Sequence, residues 1–258
     1  MKYAFIETQR NDHCVRTLCK ALRVSASGYY AARNRPPSAR TQRQSALVLK
    51  IREAHVASRQ SYGAPRVHAE LAAQGVACCR NTVAKLMRQE QIVPRAIRKF
   101  RVTTNSGNTK AVSPNLRLYL AAVMDLYSRA IVGWGMSPSL DGKLATDALQ
   151  MAIARRGVPE IVHSDRGSTY ATWLYRDLIR KHLIRQSMSR KANCWDNAPM
   201  ESFFHSLKTD LVMHCDYQTR DEARASLFEY MEVFYNRQRR HSTINYVAPL
   251  AFEESTIA

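Results

Sequence analysis

The sequence predicts a basic, all-helical front end joined to an α/β domain. Three observations predict it. Positive charge is concentrated at one end, apolar residues at helical spacing recur through the front third, and two strand-like apolar runs then open an alternation of helices and short strands. The net charge is +18, and it is unevenly spread. Residues 1–110 hold 21 basic and 5 acidic residues, an excess of 16, whereas residues 111–258 hold 18 and 16, an excess of 2. A basic half beside a balanced half points to a polyanion-binding module joined to something else, and nucleic acid is the polyanion this asymmetry favours over a merely solvated surface.

In the front half, Asp12–Arg35 reads as two short helices around a turn. Val15, Leu18, Leu22 and Val24 form the apolar face, Ser25 caps the second helix, and Pro36-Pro37 stops it. This predicts a helix-turn-helix unit over residues 1–37. A second unit is predicted over 41–94. There Ala46–Ser58 is a helix, Tyr62-Gly63-Ala64-Pro65 is a turn whose proline opens the helix Arg66–Gln74, and Gly75 breaks that helix before Asn81–Gln89. In the last helix Val83, Leu86 and Met87 face inward, while Asn81, Lys85 and Arg88 share the other side. Helix, glycine turn and helix with a basic outer face is the helix-turn-helix pattern; any small helical bundle resembles one copy, but two in tandem within the basic region predict DNA contact. Arg66 is a further candidate contact. Residues 95–117, polar and basic, read as a linker.

The back half changes character. Leu118–Met124 and Ala130–Met136 read as antiparallel strands joined by the tight turn at Asp125-Leu126-Tyr127-Ser128-Arg129. Leu140–Arg155 is a helix ended by Gly157. Glu160–Asp165 is a short strand, Ser168–His182 a helix, and Leu183–Met188 a strand. Asp196–Val212 and Arg220–Arg237 are helices. This α/β domain is placed at residues 118–232, followed by a C-terminal tail at 233–258.

Composition excludes other classes. No apolar run approaches the roughly 20 residues of a membrane span, and the opening Met1–Glu7 has too short an apolar stretch for a signal peptide. The expectation is a cytoplasmic protein. The six cysteines form no C-x-x-C pair and no zinc-finger spacing, and free thiols suit a reducing compartment.

Asp165 ends a strand, beside Gly167, where open α/β sheets expose functional side chains. Glu201 lies inside a helix. At about 100° per residue, Met200, Phe203, Phe204, Leu207 and Leu211 cluster on one side, with Asn197, Glu201, His205 and Lys208 on an adjacent stripe. Periodicity alone favours a surface salt-bridge role for Glu201 over a functional one.

The 35-residue interval between those two acids and the flanks of each settle a resemblance. His163-Ser164-Asp165-Arg166-Gly167-Ser168 and Cys194-Trp195-Asp196-Asn197-Ala198-Pro199-Met200-Glu201-Ser202-Phe203-Phe204, with Lys208 seven residues beyond Glu201, closely resemble bacterial insertion-sequence transposases of the second-reading-frame (OrfB) type. These belong to the DDE superfamily with retroviral integrases. Val24–Tyr30 and Tyr62–Leu71 look like that family's two helix-turn-helix segments. Tyr235-Asn236-Arg237-Gln238-Arg239-Arg240-His241-Ser242, with Asn245-Tyr246 and Pro249, looks like its C-terminal signature. The resemblance implies an RNase H-like, integrase-type catalytic domain preceded by all-α helix-turn-helix units. It implies cleavage and joining of DNA strands by two-metal phosphoryl transfer, with Asp165 and Glu201 as the second and third acids and as metal ligands, and with Lys208 on a DNA phosphate. It implies Mg²⁺ or Mn²⁺, the element's terminal inverted repeats and target DNA, homo-oligomers, and a partner protein from the upstream reading frame. The chemistry fits these residue types, because in-line displacement at phosphorus is served by two Mg²⁺ ions about 4 Å apart, held by clustered carboxylates.

At one point the chain departs from the family. The first acid of such enzymes lies on the opening strand of the catalytic domain, which leads through a hairpin into the strand that here reads Leu118-Tyr119-Leu120-Ala121-Ala122-Val123-Met124-Asp125. In this chain Ser113-Pro114-Asn115-Leu116-Arg117 runs straight into Leu118, and no acid occurs between Glu90 and Asp125. The expectation is a core lacking its first strand, its first catalytic Asp and tight metal binding, with a sheet edge exposed. Asp125 is expected to be a turn acid near Arg129, not a replacement. The leading reading is a transposase whose catalysis is impaired. The alternative is a non-catalytic DNA-binding protein that acts at element ends or inhibits an intact transposase. A plain RNase H-type nuclease is a third reading, which gives no reason for the two helix-turn-helix units.

Overall fold

The computed structural model describes residues 2–95, 117–190 and 194–257. The predicted linker at 95–117 lies almost wholly outside the described residues. The chain divides into two compact units, residues 1–50 and 51–258, with the helix α4 (Ala39–Ala57) running across the division.

The first unit holds α1 (Lys2–Gln9), α2 (Val15–Ala21) and α3 (Ala26–Asn34). Ser25 caps α3 as expected, its Oγ accepting the Gly28 N–H at 3.0 Å. The helix α1 was not foreseen. It supplies Ile6, which packs with Cys19 and Tyr29 at the centre of this unit, and Glu7, which accepts from the Tyr29 hydroxyl. One buried residue in eight gives no legible period, which is why the sequence hid it.

The second unit begins with α5 (Ala64–Ala73) and α6 (Arg80–Gln89), packed through Ile51, Ala54, Val67, Leu71, Val83, Leu86 and Met87. Gly75, at φ +73°, makes the left-handed turn between them. Strand β1 (Tyr119–Met124) pairs antiparallel with β2 (Ile131–Ser137), with a bulge at Val123/Met124. The helix α7 (Gly142–Arg156) follows, capped by Asp141, which accepts the Leu144 N–H at 3.1 Å. Strand β3 (Ile161–Ser164) pairs in parallel with β4 (Arg185–Met188), and α8 (Trp173–Lys181) lies between them in sequence. The helix α9 (Ala198–Asp210) precedes α10 (Arg220–Phe228), which continues as π-helical turns over Glu229–Tyr235. The segment read as a tail carries one more helix, α11 (Pro249–Ile257).

The β1–β2 ribbon is packed on both faces. Leu120, Ala122, Met124, Trp134 and Met136 meet a cluster built from Phe203, Leu207, Tyr230, Met231, Phe234 and Tyr235 of α9 and the π-helical turns. On the other face α7 comes so close that a Cβ on Gly133 would lie 2.2 Å from the Ala148 carbonyl. A glycine is therefore required where the helix crosses the strand. Asn236 anchors the ribbon further. Its Oδ1 accepts the Ile131 N–H at 2.8 Å and its Nδ2 donates to the Ile131 carbonyl at 2.9 Å.

Among the described residues the four strands form two separate two-stranded sheets, β1–β2 and β3–β4. All six residues of β1 are only half-buried, which is unusual for an uncharged strand between two helical layers.

Candidate active site

Asp165 stands immediately after β3. The parallel β3–β4 ladder runs one step further, with the Ser189 N–H donating to the Ser164 carbonyl at 3.0 Å. The chain then turns sharply, because Asp165 Oδ1 accepts the Gly167 N–H at 2.7 Å. A Cβ on Gly167 would lie 2.8 Å from that oxygen, so the glycine leaves room for the turn. The other carboxylate oxygen is left to solvent, and Asp165 is exposed.

Glu201 reaches the same place from α9. Ser189, at the end of β4, donates through its Oγ to Asn197 Oδ1 at 2.9 Å, and the Arg190 N–H donates to Asp196 at 2.9 Å. The Arg190 side chain beside Asp196 holds that carboxyl below the usual range. These contacts tie the last turn of the sheet to the start of α9, which Pro199 opens. Phe203 and Leu207 point into the core, leaving Glu201, His205 and Lys208 exposed on the other side, as the helical stripe predicts.

Asp165, Glu201, His205 and Lys208 all border one cavity of about 1110 Å³. Its walls include the consecutive residues Leu120–Asp125 of β1 and the following turn, and Ile161–Asp165 of β3 and the residue after it. The two acids separated by 35 residues in sequence are thus brought to one rim. No third acid joins them in a cluster: no group of three His, Cys, Asp or Glu side chains placed to hold a metal ion exists among the described residues. The residues outside that set contain no Asp, Glu or His.

Asp125 also borders the cavity, but its carboxylate is committed elsewhere. It accepts the Ser128 hydroxyl at 2.7 Å, the Ser128 N–H at 3.1 Å and the Tyr127 N–H at 3.2 Å, closing the turn between β1 and β2. Burial pushes its pKa up, but these hydrogen bonds and the nearby Arg156 outweigh burial and leave it below the usual carboxylate range. It is the turn acid the sequence predicts.

The helical candidates separate into two kinds. Asn81, Lys85 and Arg88 are all exposed on one face of α6. Arg66 is not part of that face. Its guanidinium lies 5.8 Å from the centre of the Tyr62 ring and is partly buried, and desolvation lowers its pKa. The tyrosine it covers accepts the Arg240 N–H at 2.7 Å, and Arg240 pairs with Glu70 at 2.7 Å. Arg66 therefore serves packing of the helical segment against the C-terminal signature. That signature is itself structural: Arg239 is buried, paired with Asp210 at 3.2 Å and donating to Ser206 Oγ at 2.9 Å. Sequence reasoning missed Ser189 and Asn197 as the link that positions Glu201, and no periodicity or motif spacing marks such a bridge.

Comparison with known proteins agrees with this layout. Residues 42–100 match the model of an HTH-like domain, and residues 81–194 and 201–257 match two models of the integrase core domain. The transposase InsF for insertion sequence IS3A of Escherichia coli (strain K12) is 38% identical over 288 positions, covering 100% of both chains. A 31 kDa protein of insertion element IS600 from Shigella sonnei is 38% identical over 265 positions, covering 92% of this chain and 97% of its own. Among solved structures, a chain of the simian T-cell lymphotropic virus intasome in complex with the PP2A regulatory subunit B56 gamma aligns with a TM-score of 0.41 and 14% identity. That alignment covers 71% of this chain and 69% of that one, a likeness too slight to add to the assignment. With HTH-like and integrase-core domains in order and full-length identity of 38%, the chain belongs to the family of insertion-sequence transposases that includes InsF.

Proposed function

We propose that this chain binds the ends of an insertion element and is impaired in cutting and joining them. The observation that carries this reading is the cavity that Asp165 and Glu201 both border: among the described residues no third acid joins them in a group that could hold a metal ion, and Asp125, which also borders it, is taken up by its own turn. Two-metal phosphoryl transfer needs enough carboxylate oxygens to hold both ions about 4 Å apart. Two exposed carboxylates do not fit such a site, so Mg²⁺ or Mn²⁺ binds weakly here. No catalytic step is assigned to this chain through a metal pair.

Binding survives because it rests on other residues. Asn81, Lys85 and Arg88 form a continuous exposed face on the last helix of the HTH-like segment, suited to a DNA groove and its phosphates. Lys208, on the same helical stripe as Glu201, meets a phosphate at the cavity they both border. The DNA is the terminal inverted repeat of the element, engaged as a homo-oligomer or together with the upstream-frame partner.

Footprinting on terminal-repeat DNA at several salt concentrations tests the binding half of this reading. Protection of the repeat by the purified chain, with a salt slope that falls by about 0.9 for each phosphate contact removed in Lys85→Ala or Arg88→Ala, supports it. Binding with no preference for the repeat, or slopes unchanged in both variants, contradicts it.

A further inference from the structure

The cavity has the form of a missing strand. Both of its long walls are strand edges rather than strand faces: a face presents every second residue, whereas here consecutive residues border the space, Leu120–Asp125 on one side and Ile161–Asp165 on the other. Among the described residues each strand has its partner on one edge only, β2 for β1 and β4 for β3, and β1 and β3 are not paired with each other. Alternate backbone N–H and C=O groups of both strands therefore point into the cavity, where each needs a partner. Ser164, at the end of β3, is only 6% exposed and borders the same space, and its Oγ has no hydrogen-bond partner among the described residues.

The β1 edge carries none of the usual defences. Leu120-Ala121-Ala122-Val123-Met124 has no charge and no proline, and its bulge lies at the far end. The remaining walls are mixed: Leu144 and Leu149 of α7 and Met200 and Phe204 of α9 are apolar, while Glu201, His205 and Lys208 bring polar and charged groups to the same space. At about 1110 Å³ the space exceeds the roughly 300–1,000 Å³ of small-molecule pockets. The alignment with InsF adds the last observation. It runs over 288 positions against 258 residues here, so 30 positions face no residue of this chain. A strand takes about 5–6 residues, so that number of positions is enough for one strand and its turn.

We propose that the slot between β1 and β3 takes up one extended, mostly apolar strand from a second polypeptide, by strand addition to both edges at once. The occupant is the InsF-type segment that this chain lacks, supplied by a longer member of the same family. Its alternate apolar side chains would sit between α7 and α9, its main chain would join the two ribbons into one sheet, and its end would emerge beside Asp165 and Glu201. The proposal rests on the functional reading above only for the meaning of that last juxtaposition.

The test uses the full chain and a synthetic peptide spanning the InsF residues opposite the gap. A second peptide carries proline at central strand positions, which removes ladder hydrogen bonds without touching the protein. Hydrogen exchange is followed in 119–124 and 161–164, and terminal-repeat cleavage is measured in the same samples. The expected result is saturable binding of the first peptide, with exchange slowed tenfold or more in both segments, and neither effect from the proline peptide. Protection of one edge alone, equal binding of both peptides, or no binding would overturn the slot. So would protection of both edges that appears without peptide as protein concentration rises, because the occupant would then be a second copy of this chain. Cleavage by the chain alone would overturn the functional reading while leaving the slot standing, so the two failures are distinguishable.

Discussion

Two regions of the second unit solve the same problem, holding helices against β-strands, in opposite ways. Around the C-terminal signature almost every polar group has a named partner. Asp210 takes the Arg239 guanidinium at 3.2 Å and the Tyr230 hydroxyl at 3.2 Å, Arg239 reaches Ser206, and Arg240 links Glu70, Tyr62 and the Tyr246 carbonyl. Arg59 pairs with Glu229 and lies 5.0 Å from the Phe234 ring centre. Around the cavity the strands β1 and β3 each have an edge that no strand pairs with among the described residues. The comparison shows what holds the two ribbons in place among the described residues. The ribbons are held from outside, by α7, by α9 with the π-helical turns, and by this buried polar network.

The predictions set the two regions against each other. The largest effect is expected in the network. Arg239→Ala leaves Asp210 as a buried charge without its cation and should cost about 3–5 kcal/mol in denaturant unfolding. A loss below 1 kcal/mol would mean the network is not what holds the unit. Asn236→Ala removes both side-chain bonds to Ile131 and should cost about 1–3 kcal/mol by the same measurement.

A smaller effect depends on pH. Burial, with the nearby Arg239, Arg66 and Arg129, pushes His241 down to about 3. The imidazole is therefore neutral in the folded chain and takes up a proton on unfolding below its ordinary pKa of 6.5. The stability this shift contributes is present above about pH 6.5 and is lost progressively as pH falls toward 3. Unfolding midpoints at pH 7.5 and pH 5 should differ in that direction, and His241→Phe should flatten the difference. The smallest effect is at the rim: Glu201→Gln and Asp165→Asn change exposed side chains and should move stability by less than about 0.5 kcal/mol. A large loss in either variant would make these acids structural and blur the contrast.

Much of the fold was legible in the sequence, for physical reasons that can be named. Ser25 and Pro65 mark helix starts, and Gly75 and Gly157 mark stops, because capping and left-handed turns demand particular residues. The stripe of Glu201, His205 and Lys208 followed from helical period alone. The turn role of Asp125 was also legible, since a short acid before a Ser-Arg turn satisfies local N–H groups. What the sequence did not disclose depends on distant pairings. Arg66 reads as one more basic helix residue until Tyr62 and Arg240 are seen beneath it. Helix α11 was read as part of a tail because its residues carry too weak a pattern to assign. The face that carries Tyr230, Met231, Phe234 and Tyr235 follows from helical spacing, but the π-helical hydrogen bonding of Glu229–Tyr235 does not.

The most direct test of the central claim is a strand-cleavage and strand-joining assay with the purified chain on terminal-repeat DNA, in Mg²⁺ and then in Mn²⁺, beside Glu201→Gln. The account predicts DNA bound by both proteins and no cleavage above background in either. Cleavage by the natural chain that vanishes in Glu201→Gln would contradict it, and would mean that Asp125 or another acid completes the site at the cavity rim.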